Sequence, residues 1–324
     1  MRAARCLVAA AALAALLACV PASGAASRVR VWKIQYRAHN GVRTDAWVVL
    51  PSWYGPHRHP AIPLIISPHG RGIGGRQNAE LWGSLPAAGP FAVVNPDGQG
   101  RVLGRYSWGS WGQVEDLARM PEIVTATLPW LRIDRRRIFA YGGSMGGQET
   151  LLLVARHPHL LAGAAVFDAV TDFARQYRMF PHLTCDSSCR RRWEGSMGRG
   201  LQHLAREEVG GTPSSAPLSF RLRSPLTYAR ALASSCVPMQ FWWSNADRIV
   251  RDQREQTGKL FWEIRRLNPD APVEEFVGFW IHSAEMRART LLPLSLAEYG
   301  LLPPEYEALR HGLHVVRPPQ AWCD

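Results

Sequence analysis

Lysine is almost missing from this 324-residue chain: Lys33 and Lys259 stand alone, so arginine carries nearly all of the formal +12 charge. Such a skew reflects genomic base composition as much as any polyanionic partner. Arg135-Arg136-Arg137 precedes a strand-like run, and Arg190-Arg191-Arg192 lies in an irregular polar segment. Neither is interleaved with the aromatics of a nucleic-acid motif, so both read as solvated surface and no nucleic-acid partner is expected. No apolar stretch beyond the leader approaches the length of a membrane span. There is also no internal repeat and no low-complexity tract, which excludes a repeat architecture.

The first residues have the form of an export signal. Arg2 and Arg5 precede an apolar run from Cys6 to Val20, and Pro21-Ala22-Ser23-Gly24-Ala25-Ala26 offers small residues suited to cleavage. Leu16-Leu17-Ala18-Cys19 also resembles a bacterial lipoprotein box, a second route in which Cys19 is lipidated and becomes the new N-terminus. Either route puts the folded chain outside the cytoplasm, secreted or lipid-anchored. Removing residues 1–26 leaves about 298 residues, enough for one large core, so 27–324 is expected to be a single domain. It keeps Cys185, Cys189, Cys236 and Cys323, an even count that suggests two disulfides in an exported chain. Of the three connectivities, Cys185 with Cys189 and Cys236 with Cys323 are the favoured pairs. A zinc site drawn from these cysteines and His182 fits an oxidising compartment poorly, and no metal or cofactor is expected.

Along the chain, alternation over Arg28 to Tyr36 and Arg43 to Leu50 around Asn40-Gly41 predicts an N-terminal antiparallel hairpin. Then apolar and amphipathic segments alternate. Ala61 to Ser67, Phe91 to Asn95, Arg137 to Tyr141, Leu161 to Phe167, Val237 to Ser244 and Val273 to Phe279 read as strands. Gln113 to Leu131, Gly146 to Arg156 and Asp252 to Arg266 read as helices. Strands interleaved with helices predict a mostly parallel sheet covered on both faces, an α/β fold. Residues 171–234 break the rhythm and predict a helical insertion, a candidate lid.

Gly142-Gly143-Ser144-Met145-Gly146 follows a predicted strand and opens a predicted helix. In a nucleophile elbow the serine sits on a strained strand-to-helix turn, and small residues two positions away let the backbones approach. Ser144 is therefore the candidate nucleophile. Ser196, in the similar Gly195-Ser196-Met197-Gly198, lacks both the first glycine and a preceding strand, and is set aside. A serine hydroxyl needs a base and a group that orients the base. Asp247 directly follows the strand ending at Ser244, and His282 directly follows the run ending at Ile281, so both fall where Ser144 lies, at the carboxyl ends of strands. His282 is assigned the proton transfer and Asp247 the orientation of the imidazole. The rival acids are Asp252, which better opens a helix, and Asp168; the rival bases are His311 and His314. Met145 N–H and a second amide from Pro68-His69-Gly70-Arg71-Gly72, assigned to Arg71 with Gly70 or Gly72 beside it, form the expected oxyanion hole. His69 reads as turn packing. Trp108, Trp111, Trp242, Trp243 and Trp280 lie near these loops, most of them as core.

From about Pro63 to Met286 the chain resembles an α/β-hydrolase, and within that superfamily the catalytic domain of the prolyl oligopeptidase peptidase family. The matching pieces are Ile133-Asp134, Gly142 to Gly147, Gly210-Gly211-Thr212-Pro213 with Ser224-Pro225, Asp247-Arg248-Ile249-Val250, and His282. The resemblance implies a serine hydrolase with Ser144, Asp247 and His282 as its triad. The chain has no room for the propeller that many members carry, and Phe279-Trp280-Ile281 replaces a small polar lead-in to the base. Asn95-Pro96-Asp97-Gly98 and the His-Gly turn also resemble secreted feruloyl and acetyl esterases. A small-molecule ester or peptide is thus the expected substrate, the ester-hydrolase reading being the first alternative and a catalytically dead binding scaffold the second.

Overall fold

Strand β1 (Val29–Arg37) alternates as a half-buried strand must: Ile34 and Tyr36 are buried while Lys33, Gln35 and Arg37 face solvent. It pairs antiparallel with β2 (Arg43–Pro51), Val29 opposite Pro51 and Arg37 opposite Arg43. Gly41 closes the turn at φ 80°, a conformation that costs glycine little, and the Asn40 carboxamide oxygen accepts the Val42 N–H at 3.1 Å. The expected hairpin is therefore present. The computed structural model describes residues 28–183 and 197–318; the leader, Ser196, Cys185, Cys189 and Cys323 lie outside the described residues.

The remaining strands are β3 (Ile62–Ile66), β4 (Ala92–Pro96), β5 (Ile133–Gly143), β6 (Gly163–Phe167), β7 (Met239–Ser244), β8 (Val273–Gly278) and β9 (His314–Val316). They form one sheet of nine strands in the order β1-β2-β4-β3-β5-β6-β7-β8-β9, parallel from β4 to β8 and antiparallel at both edges. Every residue of β3, β4, β6 and β7 is buried, which is why those segments read as unbroken apolar runs. Successive side chains feed opposite faces. Leu64 and Phe241 join one core with the aliphatic face of α5, while Ile65 and Trp242 join the other.

The helices are α1 (Gly75–Leu81), α2 (Leu85–Ala88), α3 (Trp111–Ala118), α4 (Met120–Thr127), α5 (Met145–Arg156), α6 (Phe173–Met179), α7 (Met197–Val209), α8 (Pro217–Leu222), α9 (Ala229–Ala233), α10 (Thr257–Leu267) and α11 (Leu292–Glu298). Two predicted helices are divided. The run from Gln113 breaks at Arg119, because Pro121 in the first turn of α4 has no N–H to continue α3. The run from Asp252 begins with a separate short turn over Gln253–Glu255, since Asp252 is left-handed at φ 63° and Gln256 leaves the helical region. The edge strand β9 was not legible, being three residues long. Helices α6 to α9 make up the expected insertion between β6 and β7. It is anchored from beneath: the buried Glu208 carboxylate accepts the N–H groups of Arg101, Val102 and Leu103 at 2.5, 2.8 and 2.9 Å and pairs with buried Arg223 at 3.1 Å. A third apolar cluster, including Trp108, Phe173, Phe180 and Phe220, fills the space between insertion and elbow and reaches Met145.

Candidate active site

The carboxyl ends of β5, β6, β7 and β8 bring the candidate residues together. Ser144 joins β5 to α5 with φ 58° and ψ −121°, a conformation unfavourable for any residue with a Cβ. Its N–H donates to Phe167 O at 2.9 Å, which ties the elbow to β6. The flanking glycines are required sterically. A Cβ on Gly142 would lie 2.2 Å from Gly146 O, and one on Gly146 would lie 2.3 Å from Pro68 O. Among the described residues, Trp108, Asp168 and Ser283 also adopt positive φ, so backbone strain gathers at these loops.

Asp247 follows β7 and His282 follows β8. The imidazole Nδ1 lies 2.8 Å from Asp247 Oδ2, which also accepts Gln253 Nε2–H at 3.1 Å. Asp247 Oδ1 accepts Ile249 N–H at 2.8 Å and Val250 N–H at 3.1 Å. Four donors thus fix the carboxylate; with Nδ1–H donating to it, Nε2 is left as the acceptor. Burial opposes a charge on His282, but the Asp247 charge and hydrogen bond, aided by Asp168 and opposed by Arg71, raise its pKa above the ordinary histidine value. The loop carrying His282 lies against the turn after β5: a Cβ on Gly143 would sit 3.2 Å from Ser283 Cβ and Oγ.

Ser144, Asp247 and His282 are therefore on one edge, each at the end of its own strand. Met145 is the first residue of α5, where an amide has no intrahelical acceptor and the helix N-terminus favours negative charge. The loop carrying Arg71 packs on Ser144, since a Cβ on Gly70 would lie 3.8 Å from Ser144 Cβ. His69 has the packing role read from the sequence. It is buried, its Nδ1 pairs with Gly70 O at 2.9 Å and its Nε2 accepts Gly98 N–H at 2.9 Å, so both ring nitrogens are used within the scaffold. Burial lowers its pKa, in keeping with a neutral ring that bolts the loop after β3 to the loop after β4.

Three of the four rivals are exposed at the surface. His314 is exposed in β9 opposite Val277, His311 is exposed before it, and Asp252 pairs at the surface with Arg175. Asp168 is close to the site, but its oxygens receive Ser244 N–H, the Trp280 indole and Ser283 N–H rather than the imidazole. Trp108, Trp242, Trp243 and Trp280 are buried and Trp111 is 58% exposed, so packing accounts for four of the five. Gln253, which the sequence did not single out, braces Asp247; its six-residue offset from the acid carries no pattern that would have disclosed it. Proton transfer from a serine hydroxyl and amide stabilisation of an oxyanion call for the residue types gathered at this edge.

No protein-family model matches the sequence, and no curated protein matches it. Solved structures do. An acylaminoacyl peptidase from Pyrococcus horikoshii superposes with a TM-score of 0.61 at 16% identity, over 84% of this chain and 41% of the peptidase. The chain thus spans about two fifths of that protein's length. The esterase rPPE gives 0.55 at 15% identity over 88% of this chain and 81% of its own. The S-formylglutathione hydrolase FrmB from Staphylococcus aureus gives 0.54 at 13% identity over 88% of this chain and 100% of its own. Likenesses at this identity establish architecture, and with the sheet order and the strained turn after β5 they settle it: this chain has the α/β-hydrolase fold, resembling the catalytic domain of the prolyl oligopeptidase family.

Proposed function

We propose that this chain is an exported serine hydrolase that cleaves an amide or ester bond through an acyl-enzyme on Ser144. The observation that carries the reading is the Nδ1 to Asp247 hydrogen bond of His282, on a loop whose Ser283 packs against Gly143, next to a serine held at φ 58° at the end of β5. His282 Nε2 takes the Ser144 proton as Oγ attacks the carbonyl carbon, and the amides of Met145 and Arg71 receive the charge that develops on oxygen. The imidazolium, stabilised by Asp247, then protonates the leaving group. Water repeats the sequence in reverse to release the acid and restore Ser144.

A peptidase-type substrate is the first reading, from the resemblance to the prolyl oligopeptidase family. A carboxylic ester is the second, favoured by the fact that the chain aligns with the whole length of FrmB and 81% of rPPE but 41% of the acylaminoacyl peptidase. Export is supported by the leader pattern and by the disulfide-bonded state of Cys236, whose partner lies outside the described residues; Cys323 is the partner proposed here. Purified protein lacking residues 1–26 should be assayed in parallel on short aryl esters, feruloyl esters and aminoacyl or prolyl anilides, with Ser144→Ala as control. Ser144-dependent anilide cleavage supports the peptidase reading, and ester turnover with inert anilides replaces it with an esterase. Failure of Ser144 to react with a fluorophosphonate overturns hydrolysis itself in favour of a binding scaffold.

A further inference from the structure

A second buried carboxylate stands behind the base. Asp168 ends β6, is fully buried, and is held at φ 48°, left-handed backbone that aspartate tolerates only when its surroundings fix it. Its N–H donates to Trp242 O at 2.8 Å. Oδ1 accepts Ser244 N–H at 2.9 Å, at the end of the strand that leads to Asp247. Oδ2 accepts the Trp280 indole N–H at 2.8 Å and Ser283 N–H at 2.6 Å. Those donors bracket His282 in sequence, two residues before it and one after. The polar atoms of Asp168, Asp247 and His282 lie within 4.8 Å of one another, yet the imidazole bonds Asp247. Each Asp168 oxygen accepts from N–H groups, an arrangement that suits the carboxylate form.

We propose that Asp168 is a positioning residue: its carboxylate fixes the chain on both sides of His282, aims the imidazole at Ser144, and supplies a second negative charge to the protonated base. This inference rests on the reading of Ser144, Asp247 and His282 as a triad. The charged groups facing the imidazole are Asp247 from the loop after β7, Asp168 from the end of β6 and Arg71 from the loop after β3; the first two favour the imidazolium and Arg71 opposes it. Burial and the Asp247 charge push the Asp168 pKa up to about 7, opposed by His282 and by the Ser283 and Trp280 hydrogen bonds, so its contribution grows as pH rises through that range. The Ser244 hydroxyl reinforces the clamp, accepting Trp280 N–H at 2.8 Å and donating to Trp280 O at 2.7 Å.

The test follows the rate of Ser144 labelling by a fluorophosphonate between pH 5 and 9 in the full exported chain, which requires no knowledge of the substrate. Asp168→Asn removes the charge and sets an amide NH2 against one group of N–H donors. The expected result is labelling slowed about tenfold or more at the plateau, with the acid limb moved down by about one pH unit because a negative neighbour of His282 is gone. An effect confined to folding would lower the thermal midpoint and leave the limb in place. Trp280→Phe, which keeps the ring and the charge but frees one side of the loop, should slow labelling several-fold with the limb little moved, and decides the matter if the asparagine variant does not fold. Labelling at the wild-type rate in a folded Asp168→Asn or, failing that, Trp280→Phe overturns the proposal. An unlabelled wild-type Ser144 overturns instead the hydrolase reading beneath it.

Discussion

Replacing Asp247 by asparagine changes a single atom and should remove nearly all activity, for a reason that the hydrogen bonds dictate. Oδ1 receives two backbone N–H groups, from Ile249 at 2.8 Å and Val250 at 3.1 Å. An asparagine must place its carbonyl oxygen there, because the reverse orientation sets an NH2 against both donors. Its amide nitrogen then faces the Gln253 NH2 and His282 Nδ1 across contacts that now measure 3.1 and 2.8 Å. Nδ1 can meet that amide only as an acceptor, so the imidazole proton moves to Nε2, and the base has no lone pair for the Ser144 proton. Loss of the productive tautomer in a serine triad costs about 10⁴-fold in rate, or roughly 5.4 kcal/mol of transition-state stabilisation. The rate of fluorophosphonate labelling measures this directly, with circular dichroism and the thermal midpoint confirming the fold. Retention of more than about a tenth of the wild-type labelling rate in a folded variant would refute Asp247 as the orienting acid and assign that role to Asp168.

Gly142→Ala forces a Cβ to within 2.3 Å of the Gly146 backbone and 2.7 Å of Thr150 Oγ1, so the elbow must open; labelling of Ser144 should fall at least 100-fold by about 2.7 kcal/mol of lost alignment, and an alanine variant labelling normally would contradict the close approach. Glu149, buried in the nucleophile helix against Ser107, has its pKa pushed up to about 7 by burial, so the fold favours its protonated form: the stabilisation is full below about pH 4.5 and is lost as pH rises through about 7. Glu149→Gln should therefore lose less stability than wild type between pH 5 and 8.5, by up to about 3 kcal/mol, and identical urea-denaturation profiles for the two proteins would contradict this. Glu208→Ala removes the acceptor of three amides and the carboxylate paired with buried Arg223 and should cost about 3–5 kcal/mol, with new proteolytic cleavage over residues 99–105; unchanged resistance would show that the insertion does not depend on this anchor. The acid limb of the activity profile should lie above the ordinary histidine range, since the base works only when neutral and its pKa is raised; a limb at or below pH 6 would contradict that sign.

Much of the architecture and the site was written in contiguous patterns. The glycine spacing around Ser144, the unbroken apolar strands and the placement of Asp247 and His282 directly after strands are local features, legible from local sterics and burial, although Asp168, Asp252, His311 and His314 stood as rivals. Pro121 carried the break between α3 and α4, and periodicity alone missed it. The three-residue strand β9 is too short to show a period and exists because β8 offers it an edge. The tertiary structure alone decided the rest. It chose Asp247 over Asp168 for the imidazole, made His69 a neutral bolt between two loops, set Gln253 against the acid and buried Glu208 beneath the insertion. Each depends on which donors meet a buried carboxylate or ring, and all but the Gln253 contact do so across tens of residues of chain. Sequence spacing does not encode that meeting, whereas the desolvation cost of an unpaired buried group enforces it once the sheet has formed.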